Sequence, residues 1–168
     1  MVIKNRLSDN YKWYFYLLSN TRGDIVAMND AAGPLTVNYN YDVWGKVLSV
    51  TNAAGTQHTA GNFAHQIPVR YRGYYYDEEI GLYYLQSRYY DPEMGRFLNA
   101  DDAEYIGYSG GQLSYNAFAY CENEPVNNSD PSGNKTTKST ARIYKVYVYF
   151  YKNTNTDHID FSIDGTIY

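Results

Sequence analysis

Residues 71–102 read YRGYYYDEEIGLYYLQSRYYDPEMGRFLNADD. The stretch repeats itself: Tyr75, Tyr76, Asp77, Glu79 and Gly81 return fourteen positions on as Tyr89, Tyr90, Asp91, Glu93 and Gly95. Tyrosine suits a pleated, half-buried surface. Asp-x-x-x-Gly brings a side-chain acceptor and a residue free to take positive φ, which together reverse the chain. Each copy therefore reads as strand, turn, strand, and the stretch predicts consecutive antiparallel hairpins within residues 71–98.

Upstream, a second repeat has a longer period. Asp30-Ala-Ala-Gly33 is matched 22 positions later by Asn52-Ala-Ala-Gly55, and Gly23 by Gly45 at the same spacing. Short alternating or β-branched segments lie between these turns and predict strands over residues 24–28, 35–41 and 46–50. The aromatic run YKWYFYLLS predicts another over residues 11–19. A period near 20 residues indicates stacked units that each bury a face on the next. At Tyr41-Asp42-Val43-Trp44-Gly45, Asp42 is placed to cap a turn and Gly45 to take positive φ.

The chain has 168 residues, with 22 Tyr against 6 Phe and 2 Trp. Tyrosine offers an apolar ring and a wet hydroxyl, so this balance points to broad, partly solvated β surfaces. The net charge of −4 speaks against a nucleic-acid-binding body. Cys121 is the one cysteine, reads as a small buried apolar residue and excludes an internal disulfide. No apolar run reaches membrane-spanning length and no signal-peptide core opens the chain, so export would depend on a longer parent or a dedicated secretion machine. His58 and His65 fall in the stretch 56–68, read as a loop. With no Cys or carboxylate at ligand spacing they read as loop histidines, and neither a metal nor a cofactor is expected.

Arg-Tyr-Tyr-Asp-Pro-Glu-Met-Gly-Arg-Phe at 88–97, followed by Leu98, closely resembles the core signature of Rhs/YD-repeat proteins. Tyr41–Gly45 resembles the YD repeat, residues 114–120 the family's NLYAY segment, and residues 121–133 its NNPVNxxDPxG ending. The resemblance covers residues 14–133. It implies a mainly β fold of antiparallel hairpins forming part of a β-shell, with a short C-terminal β extension. The implied divisions are terminal YD/Rhs-type hairpins at 1–60, a repeat-associated core domain at 61–133, and a linker with a truncated variable effector segment at 134–168.

The implied role is structural. The chain would close the shell of a secreted or cell-surface polymorphic toxin, encapsulating or delivering a C-terminal effector in competition between bacteria. The implied partners are the upstream repeats and an immunity protein for the effector. A second, enzymatic possibility is self-cleavage in cis by paired aspartates that release the C-terminal segment. The family's second Asp-Pro-x-Gly is intact as Asp130-Pro-Ser-Gly133, and its first aligns at Asp101 without the Pro and Gly. Asp101 and Asp130 would share a proton, one as acid and one as base, with Arg96 holding a carboxylate ionised or helping to orient the backbone. Asp102 would face the other way. The family's cleavage follows a Gly-Leu, whereas Asn134 follows Gly133 here, so a break would fall after Gly133 or Asn134. The competing interpretation makes Asp130-Pro a turn and Asp101 a solvated loop carboxylate. A third possibility is a carbohydrate-binding module that stacks glycans on the tyrosine face.

Beyond the core, residues 114–120 suggest one or two helical turns, and residues 134–141 are a linker by composition. Residues 142–152 alternate as a strand, with a second strand at 158–163 and an Asp164-Gly165 hairpin turn. His158, Asp157 and Asp160 suit a metal or nuclease site by type, but Asp157 reads as turn, and His158 and Asp160 as one polar face of a short strand. From 134 to 168 there are 168 − 133 = 35 residues, below the roughly 40 that usually fold unaided. A shell fragment cut from its repeats should also expose strand edges and self-associate.

Overall fold

Antiparallel strands joined by tight turns make up most of the regular structure. The structure, a computed structural model, describes residues 11–30, 36–59, 63–65, 67–139 and 147–152. A meander begins with β1 (Tyr11–Ser19), β2 (Ile25–Asp30), β3 (Thr36–Tyr41) and β4 (Val47–Asn52). A second follows with β5 (Tyr75–Asp77), β6 (Leu82–Leu85), β7 (Arg88–Asp91) and β8 (Arg96–Phe97). The short β9 (Asn128–Ser129) and β10 (Thr137–Lys138) form a hairpin of their own, and β11 (Tyr147–Lys152) ends the described chain. The sheets run β11-β1-β2-β3-β4, β5-β6-β7-β8 and β10-β9, and every pairing is antiparallel. The mainly β, hairpin-built fold expected from the tyrosine repeats is the fold observed.

Four turns share one backbone device. At residues 20–24, 42–46, 52–56 and 70–74 the first N–H donates to the fifth carbonyl, and the fourth residue, a glycine, donates back to the first carbonyl. In the first three the opening residue is Asn20, Asp42 or Asn52, and its Oδ1 accepts from the third and fifth N–H groups. The side chain thus satisfies turn donors that no strand can reach. Asp42 caps its turn as expected. Asn20, which does the same, carries no YD signature.

Strand alternation divides each sheet into a wet and a dry face. Phe15 and Leu17 point inward from β1 while Tyr16 and Leu18 are exposed. With Ile25, Met28, Val37, Tyr39 and Val50 they form one apolar cluster, sealed by Ala64, Ile67 and Val69. A second cluster gathers Tyr71, Tyr74, Tyr83, Leu85, Tyr90, Phe97, Tyr120 and Cys121. Tyr41 packs on both and fastens them by donating its hydroxyl to Ile25 O at 2.8 Å. Cys121 is fully buried, matching its reading as a small core residue.

In the second cluster three tyrosines grip the turn at residues 42–46. Tyr71 Oη donates to Val43 O at 2.8 Å, Tyr90 Oη to Trp44 O at 2.7 Å and Tyr83 Oη to Gly45 O at 2.8 Å. The turn's outward carbonyls, part-buried or buried, thereby have partners. This is a physical reason for tyrosine where phenylalanine would fill the same volume.

Several expectations shift. The strands expected at 24–28 and 46–50 lie at Ile25–Asp30 and Val47–Asn52, because the turn device claims their first residues, and the strand expected at 35–41 is described at Thr36–Tyr41. The helical turns expected at 114–120 are 3₁₀ turns at Gln112–Tyr115 and Cys121–Asn123. Between them Phe118 O accepts from Phe97 N, and Ala119 bridges Arg96, so this segment extends along β8. The segment 134–139, read as linker, is tied down. Lys138 pairs with Asn128, Ser139 N donates to Asn127 O at 2.8 Å, and Arg72 Nη1 donates to Ser139 Oγ at 2.5 Å. The strand expected over 142–152 is present at Tyr147–Lys152, paired with β1 from Tyr11↔Lys152 to Tyr16↔Tyr147. The second tail strand, the Asp164-Gly165 turn and the grouping of Asp157, His158 and Asp160 lie outside the described residues.

Isolated bridges extend the described sheet edges. Gln57 bridges Thr51 of β4, Val69 bridges Tyr75 of β5 and Ala119 bridges Arg96 of β8.

Candidate functional site

The site forms where the end of the chain's core presses on β7. Arg88 opens β7 and points inward with Tyr90, because residues two apart on a strand share a face. Its guanidinium lies 3.7 Å from the centre of the Phe97 ring. Asp101 follows β8, its N–H held by Ala117 O at 2.9 Å. Asp130 follows β9, its N–H donating to the Tyr74 hydroxyl at 3.0 Å, which lies 3.2 Å from Tyr120 Oη.

One guanidinium joins these parts. Arg88 Nη2 donates to Asp101 Oδ2 at 2.8 Å and lies 3.8 Å from Asp130 Oδ2. Arg88 Nη1 donates to Ala117 O at 2.9 Å, and Nε donates to Gly133 O. Asp101 and Asp130, far apart in sequence, therefore meet at one cation, and that cation also touches the carbonyl of the Gly133–Asn134 peptide. Both carboxyls are pushed above the usual carboxylate range by burial, against the opposing pull of Arg88. Burial likewise lowers the Arg88 pKa.

The Asp130-Pro-Ser-Gly133 turn is pressed against the β6–β7 corner. Gly133 has φ +76°, and a Cβ there would sit 2.5 Å from Leu85 O and 2.7 Å from Ser87 Oγ. Lys135 N donates to Asp130 Oδ1 at 3.0 Å. Ser132 Oγ lies 3.4 Å from both Asp130 Oδ1 and Asn134 N. A cavity of about 50 Å³ opens beside Asp101 and Asp130, walled by Tyr105, Tyr108 and Lys135. Lys135 Nζ donates to Tyr108 Oη at 2.7 Å and fastens the loop that covers this cavity.

Arg96, the arginine expected to serve the aspartates, is elsewhere. On β8 it alternates with buried Phe97, so it faces outward, its guanidinium 5.3 Å from the Phe118 ring centre. Arg88, not Arg96, lies beside both aspartates. Arg88 shares its strand face with buried Tyr90, a face that the sequence alone does not mark as the inner one. Asp102 is exposed, and its N–H donates to Asp101 Oδ1 at 2.9 Å. His65, expected as a loop histidine, is part-buried with Nδ1 2.8 Å from Glu78 Oε1. Among the described residues no group of three or more His, Cys, Asp or Glu could hold a metal.

On the opposite face of the second sheet, Tyr75, Tyr84 and Tyr89 form an exposed row across β5, β6 and β7, with the Tyr84 and Tyr89 rings 5.2 Å apart.

A hairpin meander whose YD turn is locked into a tyrosine core, followed by an Asp-Pro-x-Gly ending folded onto that core, defines a YD-shell segment. Residues 6–126 match the family model of the Teneurin YD-shell, and the chain belongs to that family. It is similar to the tRNA nuclease WapA of Bacillus subtilis (strain 168), 43% identical over 122 residues, 73% of this chain and 5% of that protein. It is also similar to double-stranded DNA deaminase toxin A of Burkholderia cenocepacia (strain H111), 34% identical over 119 residues, 71% of this chain and 7% of that protein. A shorter match, 46% identical over 66 residues, joins 39% of the chain to 5% of toxin protein Tse5 of Pseudomonas aeruginosa. The chain thus spans about one twentieth of the WapA proteins' length. Among the described residues no helix is long and apolar enough to cross a membrane.

Proposed function

We propose that this chain is the closing end of a β-shell in an exported polymorphic toxin, where it carries a C-terminal effector used against other bacteria. The observation that carries this proposal is the locking of the YD turn by Tyr71, Tyr83 and Tyr90, which joins repeat and core into one wall. The names of the nuclease and toxin relatives support it. In this proposal residues 134–168 begin the effector, the upstream repeats complete the shell, and an immunity protein protects the producer. A co-culture assay tests it. A strain lacking the gene should lose its advantage over a sibling lacking the neighbouring immunity frame, and equal fitness of the deletion strain would refute the proposal.

The Arg88 cluster favours a second activity, a single cleavage in cis at the Gly133–Asn134 bond. One aspartate, ionised, takes a proton from water as its oxygen bonds to the Gly133 carbon. The Arg88 N–H aimed at Gly133 O holds the charge that develops there. The other aspartate, protonated, returns a proton to Asn134 N as the C–N bond breaks, with Ser132 Oγ between them as a relay. The products would be a carboxylate on Gly133 and a free amine on Asn134. Intact mass of the purified chain decides it by the presence or absence of the 134–168 fragment.

A further inference from the structure

Strands β1 to β4 stand in the sheet in chain order, each bonded to its sequence neighbour. The place before β1 is the place a preceding strand of the same meander would take. β11 fills it instead, reached from the far end of the chain. It runs antiparallel to β1, the direction a hairpin partner would also run, in unbroken register from Tyr11↔Lys152 to Tyr16↔Tyr147. Its sequence, YVYFYK, has the aromatic and β-branched composition of the repeat strands. β1 has one dry and one wet face in the described part, with Phe15 and Leu17 in and Tyr16 and Leu18 out. An incoming strand must therefore match a fixed register, since a slip of one residue would reverse its faces. The WapA relatives are about twenty times longer than the matched segment, and an upstream hairpin would come from such additional chain.

We propose that the outer edge of β1 is a strand-acceptor site for a YD-type hairpin, and that β11 occupies it as a surrogate. The two occupants use the same backbone N–H and C=O groups and exclude one another. Docking of an upstream hairpin would then release the segment after position 139 from the sheet, while β10 and the Arg72–Ser139 contact keep its root attached. This inference rests on the membership of the YD-shell family and not on self-cleavage.

The test uses the full chain and, as probe, a fluorescent peptide of residues 36–52, which is a YD hairpin of this protein. In the variant Val148→Pro with Tyr149→Pro, one of two adjacent N–H groups that point to opposite sides is lost from the β1 side, so β11 is disabled. In Tyr16→Cys with Tyr147→Cys, a disulfide locks β11 onto β1, because these residues are direct cross-strand partners. The proline variant should bind the peptide roughly ten-fold or more tighter than the parent. The oxidised cysteine variant should not bind, and reduction should restore the parent's level. Equal binding by parent and proline variant would overturn the proposal. So would a proline variant that dimerises without taking up the peptide, because the edge would then select a second copy. If the proline variant fails to fold by near-ultraviolet circular dichroism, the oxidised and reduced forms of the cysteine variant decide the question, and equal binding by the two overturns the proposal.

Discussion

A Cβ placed on Gly45 would fall 2.5 Å from Cδ1 of Tyr71, and the glycine itself has φ +92°. The YD turn and the first tyrosine of the core thus touch at a point where no side chain fits. Gly45→Ala should cost about 2–4 kcal/mol, the sum of an adverse left-handed φ and a ring forced out of a packed cluster. Urea unfolding measures it. A loss below about 0.5 kcal/mol would mean that the turn does not bear on Tyr71.

The three hydroxyls on that turn make a separate prediction. Tyr71→Phe, Tyr83→Phe and Tyr90→Phe each keep the ring and leave a part-buried or buried carbonyl without its donor. Each should cost about 1–3 kcal/mol, the usual cost of an orphaned buried acceptor. Tyr75→Phe, on the exposed face, should stay within about 0.5 kcal/mol. Equal effects at Tyr75 and Tyr83 would show that ring packing alone holds the turn.

Much of this fold was legible because tyrosine pairs and Asp-x-x-x-Gly turns act locally. Asp77 and Asp91 close their own turns, and the strands beside them follow. The turn at 70–74 was not legible. Its backbone matches the capped turns, yet Arg70 opens it, and that side chain is turned inward to Ile67 O, His65 O and Ala64 O. Nor was the role of Arg72, which draws Asp24, Pro125 and Ser139 together across long chain distances. The pairing of Asp101 with Asp130 could be aligned by resemblance, but choosing Arg88 over Arg96 required knowing which face of β7 and β8 is buried. Composition made 134–139 a linker because no residue there advertises the strand partner it finds in β9.

Burial raises the pKa of Asp130, so the folded protein holds this proton more tightly than the unfolded chain does. The stability gained from protonation is fully present below the unfolded value and is lost as pH rises through the folded one. Asp130→Asn, which stays neutral, should therefore gain melting temperature over the parent progressively as pH rises from about 4 toward 7, using the unfolded carboxyl value. Thermal unfolding across that range checks it. A gap that shrinks with rising pH would mean that the Arg88 attraction outweighs the burial of the carboxylate.

The last prediction concerns the Gly133–Asn134 bond. If the Arg88 cluster cuts it, the reaction needs one ionised and one protonated carboxylate, so Asp101→Asn and Asp130→Asn should each abolish the 134–168 fragment in intact mass. Arg88→Lys keeps a charge but loses the fork that reaches both carboxylates and the Gly133 carbonyl, and should slow the cut about 100-fold or more, the usual effect of removing a donor to a developing oxyanion. Arg96→Ala should change nothing, because that side chain faces solvent on the other side of β8. Asp102→Asn should be nearly silent, since Asp102 reaches Asp101 through its backbone N–H. Both site carboxyls lie above the usual range, so cleavage should persist at mildly acidic pH and fade as the second proton is lost on the alkaline side. Asn134→Leu restores the apolar residue that follows glycine in the resembled motif, and should raise the rate if that residue limits it. A cut that survives Asp130→Asn would come from an outside protease, and its position would then shift away from the bond that Arg88 holds.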